Sequence, residues 1–197
     1  MLKWIEKCDT LDKENRKQKR KEWRMYNQKH VVAKRIVFGL LALAMMSVAF
    51  FFSSQTGEES GALSDSIREA VIDFLNDTLN LRIEKTEENL NLFSFIVRKT
   101  AHFSEYFVMA VFVTLFMYTF KLNKVALSAI SFFITALYAV SDEWHQSLVG
   151  GRAMMVMDMG IDSAGALLAV AILLIIFTLV ERKKNREEDI QVETYPI

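Results

Sequence analysis

Residues 36–57 read IVFGLLALAMMSVAFFFSSQTG. No charged residue interrupts the run, and Ile36 to Phe52 is almost wholly apolar. As a helix, such a run is long enough to cross a hydrocarbon core of roughly 30 Å. Three further apolar runs follow: His102 to Phe120, Val125 to Ser141 and Ser163 to Val180. Inside a bilayer the backbone has no water to bond, so each span must satisfy its own amides as an α-helix. The chain therefore reads as all-α, an integral membrane four-helix bundle. The first run is not expected to be a cleaved signal peptide: a long charged arm precedes it, and it continues well past the Ala42-Leu43-Ala44 stretch.

Composition agrees. The sequence is 52% hydrophobic yet 24% charged, so the charge must be segregated from the apolar runs. The net charge of zero hides that segregation. Residues 1–35 hold 12 Lys/Arg against 5 Asp/Glu, whereas residues 55–97 hold 3 against 9. Basic residues also mark the turn between spans two and three (Lys121, Lys124) and the start of the tail (Arg182, Lys183, Lys184). The positive-inside rule then puts both termini in the cytoplasm and the acidic loops outside. Three regions result: a basic cytoplasmic arm (1–35), a membrane domain (36–180) and a cytoplasmic tail (181–197). The arm, with Trp23 and Tyr26, is expected near anionic headgroups. Beside a membrane span it needs no nucleic acid to explain it. The single cysteine, Cys8, excludes an internal disulfide framework.

The acidic outer loop has structure of its own. Leu63, Ile67, Ala70, Val71, Phe74 and Leu75 recur at helical spacing with acids between them. This predicts an amphipathic outer-face helix, lying on the leaflet or capping the bundle. A short apolar stretch, Leu90 to Val97, then feeds into span two.

With this topology, polar clusters far apart in sequence arrive at one membrane face. Span one leaves through Ser53-Ser54-Gln55. Span two enters through Arg98-Lys99-Thr100-Ala101-His102-Phe103-Ser104-Glu105-Tyr106. Span three leaves through Asp142-Glu143-Trp144-His145-Gln146, and span four enters after Arg152 with Asp158 and Asp162. Lys99, His102 and Glu105 or Tyr106 are three to four apart and share a helix face. Asp142, His145 and Gln146 do the same, as do Asp158 and Asp162. Ionisable residues in a span usually face the bundle and mark function. Each cluster also has a plainer reading, as headgroup anchor, helix-end solvation or structural ion pair, with Asp158 and Asp162 pairing to Arg152 or Lys99. No compact metal-ligand signature occurs, and no cofactor is named by the residues.

These same motifs, with Gly151-Arg152 and Ile161-Asp162-Ser163-Ala164-Gly165-Ala166, resemble the VanZ-like family of bacterial membrane proteins. The resemblance covers roughly residues 36–180. Gly150 stands where the family often has proline before the glycine–arginine pair, and Ala153, Met154 and Met155 follow where small or polar residues are common. The resemblance implies a role at the bacterial envelope, in the setting of low-level resistance to the lipoglycopeptide teicoplanin. It supplies no biochemical mechanism.

Two functions are therefore expected to compete. In the first, the outer polar face binds membrane lipid, a lipid-linked cell-wall intermediate or a lipoglycopeptide. Ser54, Gln55, Lys99, Tyr106, Glu143, Gln146, Arg152 and Asp162 make the contacts, Lys99 and Arg152 to anions. In the second, the site is catalytic on a lipid or lipid-linked headgroup. His102 or His145 is general acid or base, and Glu105, Asp142 or Asp158 orients it or shares the proton. A serine nucleophile, Ser53 or Ser54, and a metal held by the mixed imidazole–carboxylate set are lesser versions of the same idea. A transporter is disfavoured, because the spans carry no charge in their middles.

Overall fold

The computed structural model describes the backbone of residues 2–194 and the side chains of residues 25, 26 and 28–187. Trp23 and the end of the tail lie outside the described side chains. The chain is all-helical: α1 (Leu2–Ser53), α2 (Gly57–Leu79), α3 (Glu87–Tyr118), α4 (Lys124–Gln146) and α5 (Val156–Thr194). Among the described residues, Gln28–Ser53 of α1, all of α3 and α4, and Val156–Glu187 of α5 are long and apolar enough to cross a membrane. The expected amphipathic helix lies within α2.

Helix starts are chemically marked. Thr56 caps α2: its hydroxyl accepts from the Glu59 amide (3.2 Å), and the Glu59 carboxylate accepts from the Thr56 amide (2.9 Å). Thr86 caps α3 and Asn123 caps α4 by the first of these bonds alone, accepting from the amides of Asn89 and Ala126. Each such cap is worth about 1 kcal/mol. The Thr86 cap explains where apolarity alone misplaces a boundary. Span two was expected to begin near His102, but its helix begins at Glu87 and runs unbroken through Leu90–Val97 and the charged turn. Likewise α4 continues past Ser141 to Gln146, because Asp142, Glu143 and Gln146 are buried in the bundle rather than ending it.

Helix α3 is the hub and touches every other helix, whereas α2 packs chiefly on α3. Arg68 on α2 donates to Ser94 on α3 (2.9 Å), and Lys85 pairs with Asp73 (2.8 Å). The turn between the two helices is closed by Asn76, which accepts from the Ile83 amide (2.6 Å) and donates to its carbonyl (3.1 Å).

Small residues set the membrane packing. On the α3–α5 seam a Cβ at Gly165 would stand 2.4 Å from the Phe103 carbonyl oxygen, and Ala110, Ala166 and Ala169 are buried together beside it. Close backbone approach is the usual device where lipid removes any hydrophobic drive between helices. On the α1 side, Ala42 and Ala49 lie against Tyr106, Met109, Val113 and Ala139. Large apolar side chains such as Leu40, Leu43, Phe133, Leu137 and Ile175 point outward, as a lipid-facing surface requires and a water-facing one would not.

One end of the bundle is basic and tied by polar contacts. Arg35 donates to the hydroxyl and carbonyl of Thr119 (both 3.2 Å), and its guanidinium sits 4.0 Å above the Phe120 ring. Lys124 reaches Glu181 (2.8 Å) and Thr178 (3.0 Å). The polar motifs gather at the other end.

Candidate functional site

The helical stagger of α3 meets that of α5 rung by rung. Lys99 pairs with Asp158, and one turn on, His102 Nδ1 lies 3.6 Å from Asp162 Oδ1. The first pair is largely removed from solvent, with side chains 12% and 9% exposed. Asp162 is fully buried, and neither of its carboxylate oxygens has a hydrogen-bond partner among the described residues. Of the partners considered for Lys99 and Asp158, the fold selects each for the other. That takes Lys99 out of the running as a free anion contact.

Helix α4 supplies the next layer. Gln146 donates to the Asp142 carboxylate (2.9 Å), and the fully buried Tyr106 lies beside the same carboxylate. Glu143, 1% exposed, accepts from the Met155 amide (3.0 Å) and so holds the α4–α5 loop over the bundle. Ser53, at the last residue of α1, is within 3.1 Å of His145 Nδ1 and donates to the Asp142 carbonyl (3.4 Å). The His145 ring also lies against Phe50, tilted by 33° with 4.7 Å between centroids.

Glycines join the start of α2 to the α4–α5 loop. Gly57, at the start of α2, donates to the Gly150 carbonyl (3.1 Å), and a Cβ on Gly57 would stand 2.4 Å from the Gly151 carbonyl oxygen. Gly151 has φ +78°, a conformation that glycine adopts without steric cost. This contact sets the position of Arg152. Burial first, and then the nearby Arg98 guanidinium, pull Arg152 below the usual arginine range, while Asp142 and Glu143 oppose the shift. Arginine keeps its proton in proteins, so the Arg98 charge acts unfavourably on Arg152.

A cavity of about 290 Å³ lies within this frame. Of the residues singled out from sequence, Gln55, His102, Glu105, Asp142, Gln146 and Arg152 line it. Lys99, Tyr106, Glu143, His145, Asp158 and Asp162 stand behind them as support. Ser54 does neither: it is exposed, and its hydroxyl donates to the Phe50 carbonyl (2.7 Å). Ser53 takes the inward place. Sequence reasoning also gave no ligand role to Arg98, Ser60 and Ser64, which line the cavity, or to Tyr138, whose hydroxyl ties α4 to the Met46 carbonyl of α1 (2.6 Å). The rest of the lining is apolar and comes from both α1 and α2. Among the described residues no group of three or more His, Cys, Asp or Glu is arranged to hold a metal ion.

No curated protein and no solved structure matches the chain. A family model does: the one described as VanZ/LLP1 matches residues 38–178. That match takes in α2, α3 and α4 whole, much of the apolar parts of α1 and α5, and every residue lining this cavity, and the chain belongs to the VanZ/LLP1 family.

Proposed function

We propose that this is a multi-pass protein of the bacterial cell membrane that binds an amphipathic envelope molecule, and thereby lowers lipoglycopeptide access to its membrane-anchored target. The arm (1–35) and the tail (181–197) are cytoplasmic, as their Lys/Arg content indicates. The cavity then opens on the extracytoplasmic face. Its partners are membrane lipid, a lipid-linked cell-wall intermediate or the lipoglycopeptide itself. The observation that carries this reading is the lining: a polar floor of His102, Glu105, Asp142 and Gln146 beneath apolar walls from α1 and α2. A pocket with few convergent polar groups and much apolar wall is the usual form of a binding site for an amphiphile.

The test is teicoplanin susceptibility of a sensitive Gram-positive host carrying wild type, Glu105→Gln or His145→Gln at matched membrane levels. Protection by wild type, lost in the variants, is the expected outcome. Equal susceptibility with and without the protein would end the antibiotic reading and leave the membrane architecture in place.

A second reading, chemistry on a lipid or lipid-linked headgroup, is favoured by two contacts. Ser53 sits 3.1 Å from a ring nitrogen of His145, and the cavity-lining His102 is backed by Asp162 at 3.6 Å. A hydroxyl beside an imidazole, and an imidazole near a carboxylate, are groups that nucleophilic and acid–base catalysis use. If the site is catalytic, Ser53→Ala abolishes protection at unchanged membrane level. If it only binds, loss of Arg152 is the most damaging change.

A further inference from the structure

The cavity is not enclosed by the four membrane-spanning helices alone. One wall is α1, through Val48, Ala49 and Phe52, and the facing wall is α2, through Leu63 and Ile67. These two helices pack little on one another: α2 rests on α3, and α1 on α3 and α4. The side chains at the gap are both lining and outward-facing: Phe52 is 39% exposed and Leu63 45%. The surface continues as apolar, with Phe74 on α2 and Leu92, Phe95 and Ile96 on the first turns of α3 all exposed. A cleft with these lips faces hydrocarbon, not water.

The charges within it are of two kinds. Arg98 and Arg152 both line the cavity and repel one another. Asp142 and Glu143 act on Arg152 in the opposite sense. Two arginines lining one cavity make a receptor for an anion, and a planar fork suits phosphate oxygens. Deeper in, Glu105 presents an oxygen that is inaccessible to solvent and has no partner among the described residues. Glu105 and Asp142 both line the cavity, and an occupant with a hydroxyl or amine gives such carboxyl groups a partner.

We propose that the occupant is a phospholipid-type molecule from the outer leaflet that enters sideways between α1 and α2. Its phosphate lies on Arg98 and Arg152. A hydroxyl or amine beyond the phosphorus reaches Glu105 and Asp142, and its chain lies between Phe52 and Leu63. This rests on the reading that the cavity holds an envelope amphiphile and names the class of that molecule. Lys99 takes no part, because Asp158 already neutralises it.

The experiment is photolabelling of the purified full-length chain in phosphatidylcholine vesicles. One probe is phosphatidylglycerol with a diazirine in its acyl chain, which has both phosphate and hydroxyl donors. The other is diacylglycerol with the same chain and no phosphate. The expected result is selective labelling by the first probe, mapped to α1 near Phe52 and to α2 near Leu63. The Arg98→Gln/Arg152→Gln double variant should lower it about tenfold, the scale of lost charge-assisted hydrogen bonds. Leu63→Trp, at an exposed position where folding is not at stake, should block the labelling with both arginines intact. Equal labelling by both probes, or label spread evenly over all the lipid-facing helices, overturns the proposal. So does full competition by millimolar inorganic phosphate, which would make the site one for the free anion. Susceptibility to teicoplanin is read independently, so protection without selective labelling sinks this inference and leaves the function standing.

Discussion

Toward α5, α3 comes so close that Gly165 has no room for a side chain against Phe103. Toward α1 and α2, the same helix borders a cavity of about 290 Å³. The first side is built from glycine, alanine and neutralised charge. The second is built from serine, arginine and carboxylate, with one wall carried by a helix that has little support beyond α3. The difference separates what holds the bundle together from what the bundle holds. Substitutions on the α5 side should cost stability; those on the α1/α2 side should cost ligand and leave stability largely alone.

The sharpest way to break that division is at Asp158. Asp158→Ala leaves Lys99 in a largely closed site without its partner, and stranding one member of a buried pair costs about 3–5 kcal/mol. The thermal midpoint of the detergent-solubilised protein should fall steeply. Restoring neutrality with Lys99→Met in the same chain should recover most of it. An unchanged midpoint for Asp158→Ala would mean that the pair is not structural and that Lys99 is available to ligand after all.

Gly165→Leu follows. Overpacking a close helix contact costs roughly 1–3 kcal/mol, and here the obstacle is backbone, which cannot rotate away. Loss of stability with an intact lipid-labelling pattern would sharpen the comparison. Loss of labelling at unchanged stability would show that the two sides of α3 are one unit.

The least effect is expected at the edge of the open side. The Thr56 amide and hydroxyl hold the Glu59 carboxylate below its usual range. A depressed folded pKa means that the cap is fully formed above the unfolded value of about 4.3 and is lost as pH falls through the lower folded value. Amide signals of Glu59 and Ser60, followed from about pH 6 to about pH 3, should move with a midpoint below about 4.3. A midpoint at or above it would show that the capping box does not form in solution.

Much of this was legible in the sequence. Apolar runs revealed four spans, because a bilayer admits little else. The three- and four-residue spacing of Lys99 and His102, and of Asp158 and Asp162, was enough to expect shared faces, and those faces meet. What was not legible has physical reasons. Span two was placed too late because charge lowers hydropathy, although a charge neutralised on a neighbouring helix does not end a helix. Ser54 was favoured over Ser53, although Ala42, Ala49 and Ser53 fall seven and four apart on the buried face of α1. That stripe could have decided between them. Arg98 was given no ligand role, and headgroup anchoring was the plainer reading for it and Lys99 alike. Successive helical residues point about 100° apart, so when Lys99 turns to α5, its neighbour faces elsewhere. That α2 would form a cavity wall depended on its partner, which no local pattern names.

The meeting of Gly57 with Gly150 and Gly151 has a consequence for heredity. It binds the first turn of α2 to the loop that carries Arg152, two stretches almost a hundred positions apart in the chain. A change in either one alters the setting of the other, so their effects should not add. In descent, the wall of the cleft and its arginine are free to drift only as a pair.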